Sequence, residues 1–258
     1  KPFIIFLKWQ DRFFIKISMF SMMLLGRSKV PIHPKHLFDK GKNNLLNNLL
    51  KSKKGGSFLD IGSGAGSELL DAAKLGWQVY GIEKDLKNIE ISKFRIKNMI
   101  NKRIKIFQHD LEITPLPIKS NQINLINFTN VLEHINNREE ILKDIQRILI
   151  EDGECIISIP NKQTTWKKIQ RFAGIDSRDD IDHKIEYSLE EIKHEIKKAN
   201  LSIKSNFYPI IPSSPFDGIL SISSIFSPYL YKKTQKLKRD LIKNNLNDSI
   251  GWVFIVKK

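Results

Sequence analysis

Apolar positions along the chain follow two different spacings from residue 34 onward. Short, nearly continuous apolar runs predict strands covered on both faces, and the segments between them repeat apolar residues every three or four positions, as helices do. The predicted strands are residues 57–61, 78–83, 104–109, 123–128 and 154–159. The predicted helices are residues 34–50, 68–75, 86–100 and 138–149. This alternation predicts a parallel sheet with helices on both faces.

Beyond residue 160 the alternation loosens, and the remaining elements are predicted from local signals. Ser188 and Glu191 are spaced as a capping box, which predicts a helix that continues to Ala199. Asp152-Gly153 predicts a turn before the fifth strand. The other predictions are a helix at 166–172, a polar loop at 178–184, and strands at 201–207 and 252–256.

Residues 1–26 are predicted to contain an amphipathic helix. Lys8, Arg12 and Lys16 are four residues apart and share one helical face, while aromatic and aliphatic residues occupy the other. No uninterrupted apolar run here reaches the roughly 20 residues that a spanning helix needs. Two interpretations stay open. The apolar face packs on the domain or covers its site, or it lies on a membrane surface, where aromatic side chains opposite lysines are typical.

The chain has 258 residues and a formal net charge of +15 at pH 7. Its basic residues are mostly lysines spread along helical faces, without arginine clusters or interleaved aromatic residues. This distribution favours a solvated surface over a nucleic-acid partner, although RNA stays open as an alternative acceptor. The single cysteine, Cys155, lies in an apolar strand, so we expect no disulfides and a cytoplasmic location. The membrane interpretation of residues 1–26 would add peripheral contact with the inner membrane face.

A glycine-rich turn follows the first strand, in Leu59-Asp-Ile-Gly-Ser-Gly-Ala-Gly66. Glycines permit positive φ angles and a close approach of ligand to backbone, and the next helix directs its free N–H groups at the turn. The dinucleotide fingerprint requires its third glycine at the position of Ser67, whereas here it is Gly66. An oxidoreductase that binds NAD is therefore a weaker alternative.

Three acidic residues accompany this turn. Asp60 precedes the first glycine by two residues, and its negative charge suits an ammonium and a sulfonium better than a pyrophosphate. Glu83 ends the second strand, where a carboxylate can accept both ribose hydroxyls, and Asp110 follows the third strand, where it can meet an adenine amino group. A purely structural role for Asp60, as an acid that caps the turn, stays open.

In these segments the chain resembles the class I S-adenosylmethionine-dependent methyltransferases, in particular the group similar to ubiquinone-biosynthesis and cyclopropane-fatty-acid methyltransferases. The matching segments lie between residues 57 and 161 and occur in the order of the family. They are Leu59-Asp-Ile-Gly-Ser-Gly-Ala-Gly66, Val79-Tyr-Gly-Ile-Glu83, Gln108-His-Asp-Leu111, Asn130-Val-Leu-Glu-His-Ile135 and Asp152-Gly-Glu-Cys-Ile-Ile-Ser-Ile-Pro-Asn161.

The resemblance implies an α/β fold of the Rossmann-like type. Its sheet has seven strands and is mostly parallel, with helices on both faces, and the last strand, at 252–256, is antiparallel beside the sixth. Residues 27–258 would form the methyltransferase domain, and residues 57–161 would be its cofactor-binding core. The segments 162–187 and 208–249 would be insertions on the acceptor side, the second of them a cap.

The resemblance also implies S-adenosylmethionine as the cofactor. Backbone around Gly62 and Gly64 would cradle its methionine part, Glu83 would hold the ribose, and Asp110 with Leu111 would hold the adenine. The full set of implied cofactor-binding residues is Asp60, Gly62, Ser63, Gly64, Gly66, Glu83, Asp110, Leu111 and Asn130.

Two histidines could act as a general base in methyl transfer. His134, next to Glu133, follows the fourth strand, and His183, next to Asp182, lies after the fifth. A neutral histidine can take a hydroxyl proton near pH 7. Alternatively, Glu133 and His134 shape the pocket without transferring protons. No metal is expected, since the reaction needs none and no cluster of cysteines and histidines is evident in the sequence.

The predicted function is in-line methyl transfer from S-adenosylmethionine to a small-molecule acceptor or a lipid or glycan precursor. The Asn/Asp-Pro-Pro-aromatic motif of enzymes that methylate exocyclic amines is absent; Thr129-Asn130-Val131 follows the fourth strand instead. The alternatives are an RNA methyltransferase and a protein that binds the cofactor on the same fold without catalysis.

Overall fold

A computed structural model describes residues 41–53, 55–97, 104–209 and 245–258, together with residues 229, 233, 236 and 240. The helix predicted within residues 1–26 and most of the insertion predicted at 208–249 lie outside the described residues. None of the described helices is both long and apolar enough to cross a membrane.

The described elements follow the predicted alternation of helices and strands. The helices are α1 (Gly41–Ser52), α2 (Ser67–Lys74), α3 (Leu86–Ile96), α4 (Arg138–Ile148), α5 (Thr165–Phe172) and α6 (Leu189–Lys198). The strands are β1 (Ser57–Ile61), β2 (Gln78–Glu83), β3 (Ile104–Gln108), β4 (Ile123–Thr129), β5 (Leu149–Pro160), β6 (Ser202–Pro209) and β7 (Gly251–Lys257). Short 3₁₀ helices occur at Leu132–His134 and Leu246–Asp248.

The strands form one seven-stranded sheet in the order β3-β2-β1-β4-β5-β7-β6. Strands β1 to β5 pair in parallel, and the last strand is antiparallel and lies between β5 and β6. This confirms the predicted fold class. The chain winds from β1 to β3 in one direction and then returns to add β4 on the other side of β1. Crevices for ligands form at the carboxyl ends of the strands beside such a reversal.

The core explains why apolar and polar residues do not alternate regularly along the central strands. All five residues of β1 are buried, as are most residues of β4 and β5, because helices cover the sheet on both faces. Trp77 and Phe58 are fully buried. The indole N–H of Trp77 donates to the backbone oxygen of Leu50, at 3.0 Å, so this large core side chain also satisfies its polar atom.

The turn predicted at Asp152-Gly153 is wrong. Strand β5 runs through these two residues, and its pairing with β4 is irregular there: Ile123 is opposite Leu149, yet Leu125 is opposite Glu154. The extra β5 residues form a bulge that depends on a glycine, since a Cβ atom at Gly153 would lie 2.9 Å from the backbone oxygen of Ile150. Asp152-Gly153, a pair that is common in turns, therefore lies at an irregularity within a strand.

The residues fall into two compact units. The unit that contains most of the sheet comprises residues 45–160, 182–208 and 252–258. In the other unit, the segment after β5 is bound to the segment before β7. The amide nitrogen of the Asn161 side chain donates to the backbone oxygens of Asn247 and Ser249, at 2.8 Å each, and Asp248 accepts from Thr165. The division into the predicted domain and its insertions stays a prediction.

The predicted capping box at the start of α6 is confirmed. The backbone N–H of Glu191 donates to the Ser188 hydroxyl, at 3.3 Å, and the Glu191 carboxylate accepts from the backbone N–H of Ser188, at 2.8 Å. Both bonds satisfy N–H groups that a helix start would otherwise leave without partners. The cap also fixes the end of the loop that contains His183.

Replacing the cap is expected to destabilise the sheet-containing unit. We expect Ser188→Ala to lower the free energy of unfolding by about 1 kcal/mol, measured by urea denaturation, because the alanine leaves the N–H of Glu191 unsatisfied. Ser52→Ala is the matched control: its exposed hydroxyl at the end of α1 reaches only the backbone oxygen of Leu49. A loss in the control equal to the loss in Ser188→Ala would contradict the role of the cap.

Candidate functional site

The glycine turn lies between β1 and α2, at the reversal of strand order. Gly62, Gly64 and Gly66 have φ angles of +72°, +51° and +74°, which confirms the prediction of positive φ. Two of these positions also leave no space for a side chain. A Cβ atom at Gly62 would lie 2.7 Å from Val131 Cγ2, and one at Gly66 would lie 2.0 Å from Ser92 Oγ. Conformation therefore favours glycine at all three positions, and packing requires it at Gly62 and Gly66.

Glu83 fixes the turn to the end of β2. One carboxylate oxygen accepts from the backbone N–H of Gly64, at 2.8 Å, and the other accepts from the N–H groups of Lys84 and Asp85, at 2.9 Å each. Glu83 thus has a structural role that the sequence reasoning did not assign. Oε1 thereby uses both of its acceptor sites and Oε2 retains one, so these bonds are compatible with a contact to one ribose hydroxyl.

Asp60 lies at the base of the turn and is almost completely buried. Its carboxylate accepts from the side-chain amide of Asn127, at 2.7 Å, and the two residues are register neighbours on β1 and β4. Burial, followed by the charge of Glu68, raises the pKa of Asp60 well above its usual range, although the bond from Asn127 opposes the shift. Sequence reasoning missed Asn127; the signal was the presence of two amide side chains, Asn124 and Asn127, within an otherwise nearly apolar strand.

The electrostatics around the turn favour a cation. Glu68 and Glu83 both raise the pKa of Asp60, which shows that three carboxyl groups act on one another here. A pyrophosphate would add negative charge to this cluster, whereas an ammonium or a sulfonium would offset it. The site therefore differs from a phosphate-binding turn, although it has the same glycine-rich backbone.

The loop after β3 contains Asp110 and Leu111. Asp110 accepts from the backbone N–H of Glu112, at 3.0 Å. The Glu112 carboxylate in turn accepts from the backbone N–H groups of Asn136 and Asn137, at 2.9 and 3.1 Å. Glu112 thereby connects the loop predicted to hold adenine with the segment after His134. No sequence pattern indicates this role, because Glu112 lies in an irregular polar stretch.

Asn130 follows β4 and has a φ angle of +57°. Its side-chain oxygen accepts from the Ser158 hydroxyl, at 2.9 Å, and its backbone N–H donates to the backbone oxygen of Ser158, at 3.1 Å. Asparagine tolerates this left-handed conformation better than most residues. The left-handed conformation thus explains why an asparagine occupies this position. The predicted contact of Asn130 with the cofactor stays a prediction.

Glu133, His134 and His183 come together although 50 residues separate the first from the last. A carboxylate oxygen of Glu133 and ring nitrogens of the two histidines lie within 4.8 Å of one another. Glu133 is buried, and the two imidazole rings meet edge to face with their centroids 4.8 Å apart. These groups could also hold a cation, so the expected absence of a metal stays a prediction.

The cluster adjoins the glycine turn through one residue. Val131 fills the space beside Gly62, and its backbone oxygen accepts from the backbone N–H of His134, at 3.0 Å. On the other side, Nδ1 of His183 lies 3.1 Å from a carboxylate oxygen of Glu186, which is also buried. Sequence reasoning noted Asp182 beside His183 and missed Glu186, three residues further along.

Most of the predicted site residues therefore lie at or just after the carboxyl ends of β1 to β4. Asp60, Gly62, Ser63, Gly64, Gly66 and Glu83 form one connected group at β1 and β2. Asp110 and Leu111 follow β3, and Asn130, Glu133 and His134 follow β4. Ser63 is buried within the turn, and its backbone N–H donates to the Ile82 oxygen, at 3.0 Å. Such an arrangement can hold an elongated ligand across β1, β2 and β4, with the histidines beyond one end of the turn.

Comparison with known proteins agrees with this geometry. Residues 35–206 match the family model described as "Methyltransferase domain". The sterol 4-C-methyltransferase of Caenorhabditis elegans is 31% identical over 100 residues, which are 38% of this chain and 29% of that protein. The ubiquinone biosynthesis O-methyltransferase of Pelagibacter ubique is 31% identical over 114 residues, 43% of this chain and 45% of that protein. The chain thus spans less than half the length of these curated relatives.

A solved structure shows the same fold. The S-adenosylmethionine-dependent methyltransferase from Mesorhizobium loti superimposes with a TM-score of 0.58 at 13% identity, covering 86% of this chain and all of that one. At this level of identity the likeness concerns the fold alone. The family match is broader evidence, because it includes β1 to β5, the glycine turn and both histidines. The chain belongs to the methyltransferase family that this domain defines.

Proposed function

We propose that the protein transfers a methyl group from S-adenosylmethionine to a small-molecule or lipid-type acceptor. The observation that supports this most directly is the cluster of Asp60, Glu68 and Glu83 around a glycine turn at the carboxyl ends of the strands. S-adenosylmethionine supplies an activated methyl group and has an ammonium and a sulfonium, which such a cluster attracts. Backbone at Gly62 to Gly64 binds the amino-acid part, and Glu83 binds the ribose.

Asp110 and Leu111 bind the adenine in this proposal, and Glu112 holds their loop in position. Asp60 accepts from the ammonium group, directly or through water, while Asn127 orients its carboxylate. Ser63 and Gly66 complete the turn, and Asn130 borders it. The chemical contribution of the protein is alignment of the acceptor with the methyl group and, for a protic acceptor, removal of a proton.

A lipid or quinone-like acceptor is the class that the relatives favour. One curated relative is named for a sterol and the other for ubiquinone biosynthesis. The test is transfer of a labelled methyl group from S-adenosylmethionine to separate pools of lipids, phenols and quinols, glycan precursors and RNA. We expect label in the lipid or phenol pool. Label in RNA alone would favour the RNA alternative, and cofactor binding without label in any pool would favour a non-catalytic protein.

Removing one acceptor oxygen at Glu83 should weaken cofactor binding. We expect Glu83→Gln to raise the Kd for S-adenosylmethionine by about tenfold or more, as measured by calorimetry. The reason is that the ribose and the backbone N–H of Gly64 both lose a charged acceptor. Glu90→Gln, an exposed change on α3, is the matched control and should leave Kd unchanged. Unaltered affinity in Glu83→Gln would reject the assignment of the ribose.

Cofactor binding should depend on pH through Asp60. Burial raises the pKa of Asp60, so the free protein retains this proton at pH values where an exposed aspartate has lost it. A bound cation stabilises the carboxylate, so binding releases the proton, and affinity should rise with pH until Asp60 is ionised in the free protein. Calorimetry in phosphate and in Tris, which differ in ionisation enthalpy, measures the proton release.

The variant Asp60→Asn should abolish that proton release and flatten the pH dependence of affinity below neutrality. It cannot ionise, and an amide replaces the carboxylate at almost the same volume. An equal proton release in the wild type and in Asp60→Asn would contradict the assignment of Asp60 to the ammonium group.

A further inference from the structure

Helix α5 turns its apolar side toward solvent. Phe172 is 81% exposed and Ile169 is 37% exposed, and their spacing of three residues places them on one face of the helix. Lys167 lies on the roughly opposite face and is only 1% exposed. An amphipathic helix on a soluble domain normally buries its apolar stripe and leaves its charged residues in water. In α5 this arrangement is reversed.

Bonds on the basic side of α5 hold the helix in this orientation. Nζ of Lys167 lies 2.9 Å from a carboxylate oxygen of Asp179, so the buried cation is paired, as a buried charge must be. The guanidinium of Arg171 donates to the backbone oxygen of Lys162, at 2.8 Å, and to the hydroxyl of Ser177, at 3.0 Å. These bonds fix the rotation of α5 about its own axis and keep its apolar face outward.

The charge beside the apolar face is positive. Helix α5 contains Lys167, Lys168 and Arg171 and no acidic residue. Lys168 is exposed, and the bonds of Arg171 lead to neutral oxygens. Within the part of the chain that the structure describes, no carboxylate pairs with either Lys168 or Arg171. Apolar side chains beside cations are typical of helices that lie in the headgroup region of an anionic membrane.

Charge complementarity favours a bilayer over another part of this chain as the partner of this face. Residues 1–26 have four basic residues and one acidic residue, and residues 208–249 have six basic and three acidic residues. Either segment, or a second copy of a chain with a net charge of +15, would bring positive charge toward Lys168 and Arg171. Anionic lipid headgroups instead attract both side chains.

We propose that α5 docks on the surface of an anionic lipid bilayer. Phe172 and Ile169 enter the boundary between headgroups and acyl chains, and Lys168 and Arg171 contact lipid phosphates. The contact is peripheral, because a helix of eight residues is about 12 Å long and cannot cross a hydrocarbon core of about 30 Å. Lipid binding does not require methyl transfer, so the docking and the proposed function can be tested separately.

The first test places a fluorescent label on the apolar face. Cys155 is fully buried, so a thiol reagent applied to the folded Phe172→Cys variant labels the introduced cysteine. A nitrobenzoxadiazole label there should shift to the blue and gain about twofold or more in intensity on adding vesicles of phosphatidylcholine and phosphatidylglycerol, because it leaves water. Phe94→Cys is the matched control, since Phe94 is 77% exposed on α3, and its label should not respond.

Two results of this test would overturn the docking of α5. An equal response of the labels at Phe94 and Phe172 would mean that the protein adsorbs without a preferred face. A label at Phe172 that is already in apolar surroundings before vesicles are added would mean that another part of this chain, or a second copy, covers the face.

The second test measures partition onto the same vesicles by co-sedimentation. We expect Phe172→Ala to lower the partition coefficient by about tenfold, because a buried aromatic side chain is lost. Lys168→Gln should lower it by about fivefold, and the wild type should bind vesicles of phosphatidylcholine alone far more weakly. Phe94→Ala and Lys197→Gln, exposed on α3 and α6, are the matched controls. Equal losses in Lys168→Gln and Lys197→Gln would overturn the docking, since net charge alone would then explain binding.

Failure of the docking and failure of the proposed function give different results. A protein that transfers methyl groups but does not bind anionic vesicles would refute the docking and leave the proposed function intact. Vesicle binding that Phe172→Ala leaves unchanged would also refute it, because the membrane contact would then lie elsewhere, as in one interpretation of residues 1–26. Vesicle binding through α5 without any binding of S-adenosylmethionine would support the docking and refute the proposed function.

Discussion

The bond from the backbone N–H of Gly64 to the Glu83 carboxylate is the constraint on which the site depends. It fastens a turn with three positive φ angles to the end of the neighbouring strand, and the same carboxylate also accepts from the first two residues after β2. Larger residues cannot replace Gly62 and Gly66, because Val131 and Ser92 fill the space that their side chains would need. One acid thus joins the turn after β1 to the end of β2.

The same constraint concentrates negative charge. Asp60 is buried below the turn, and Glu68 and Glu83 act on it from two sides, which is unfavourable in the absence of a cation. The amide of Asn127 and the backbone N–H groups offset part of that cost. A protein optimised for stability alone would have no reason to place three carboxyl groups here. Their presence is best understood as preorganisation for a cationic ligand, since the carboxyl groups are already in position before binding.

The sequence predicted the sheet well because each strand is a short apolar run bounded by polar or turn residues. It predicted the turn and its acids because glycines and carboxylates beside a buried strand have few alternative explanations. It failed at Asp152-Gly153, where a turn-forming pair serves a bulge inside β5. It also missed Asn127 and Glu112, whose partners lie on another strand or loop, and Glu186, whose partner His183 lies on the same irregular loop. Such pairs depend on register and loop anchoring, for which a single sequence has no periodic signal.

One histidine of the pair lies where the chain passes from one compact unit to the other. Residues 182–208 belong to the unit that contains β1 to β5, whereas residues 161–181 belong to the other unit. His183 therefore lies at the point where the chain re-enters the sheet-containing unit, and its loop is bonded to Glu133 and capped at Ser188. Those bonds lie within one unit, and they hold His183 beside Glu133 and Glu186.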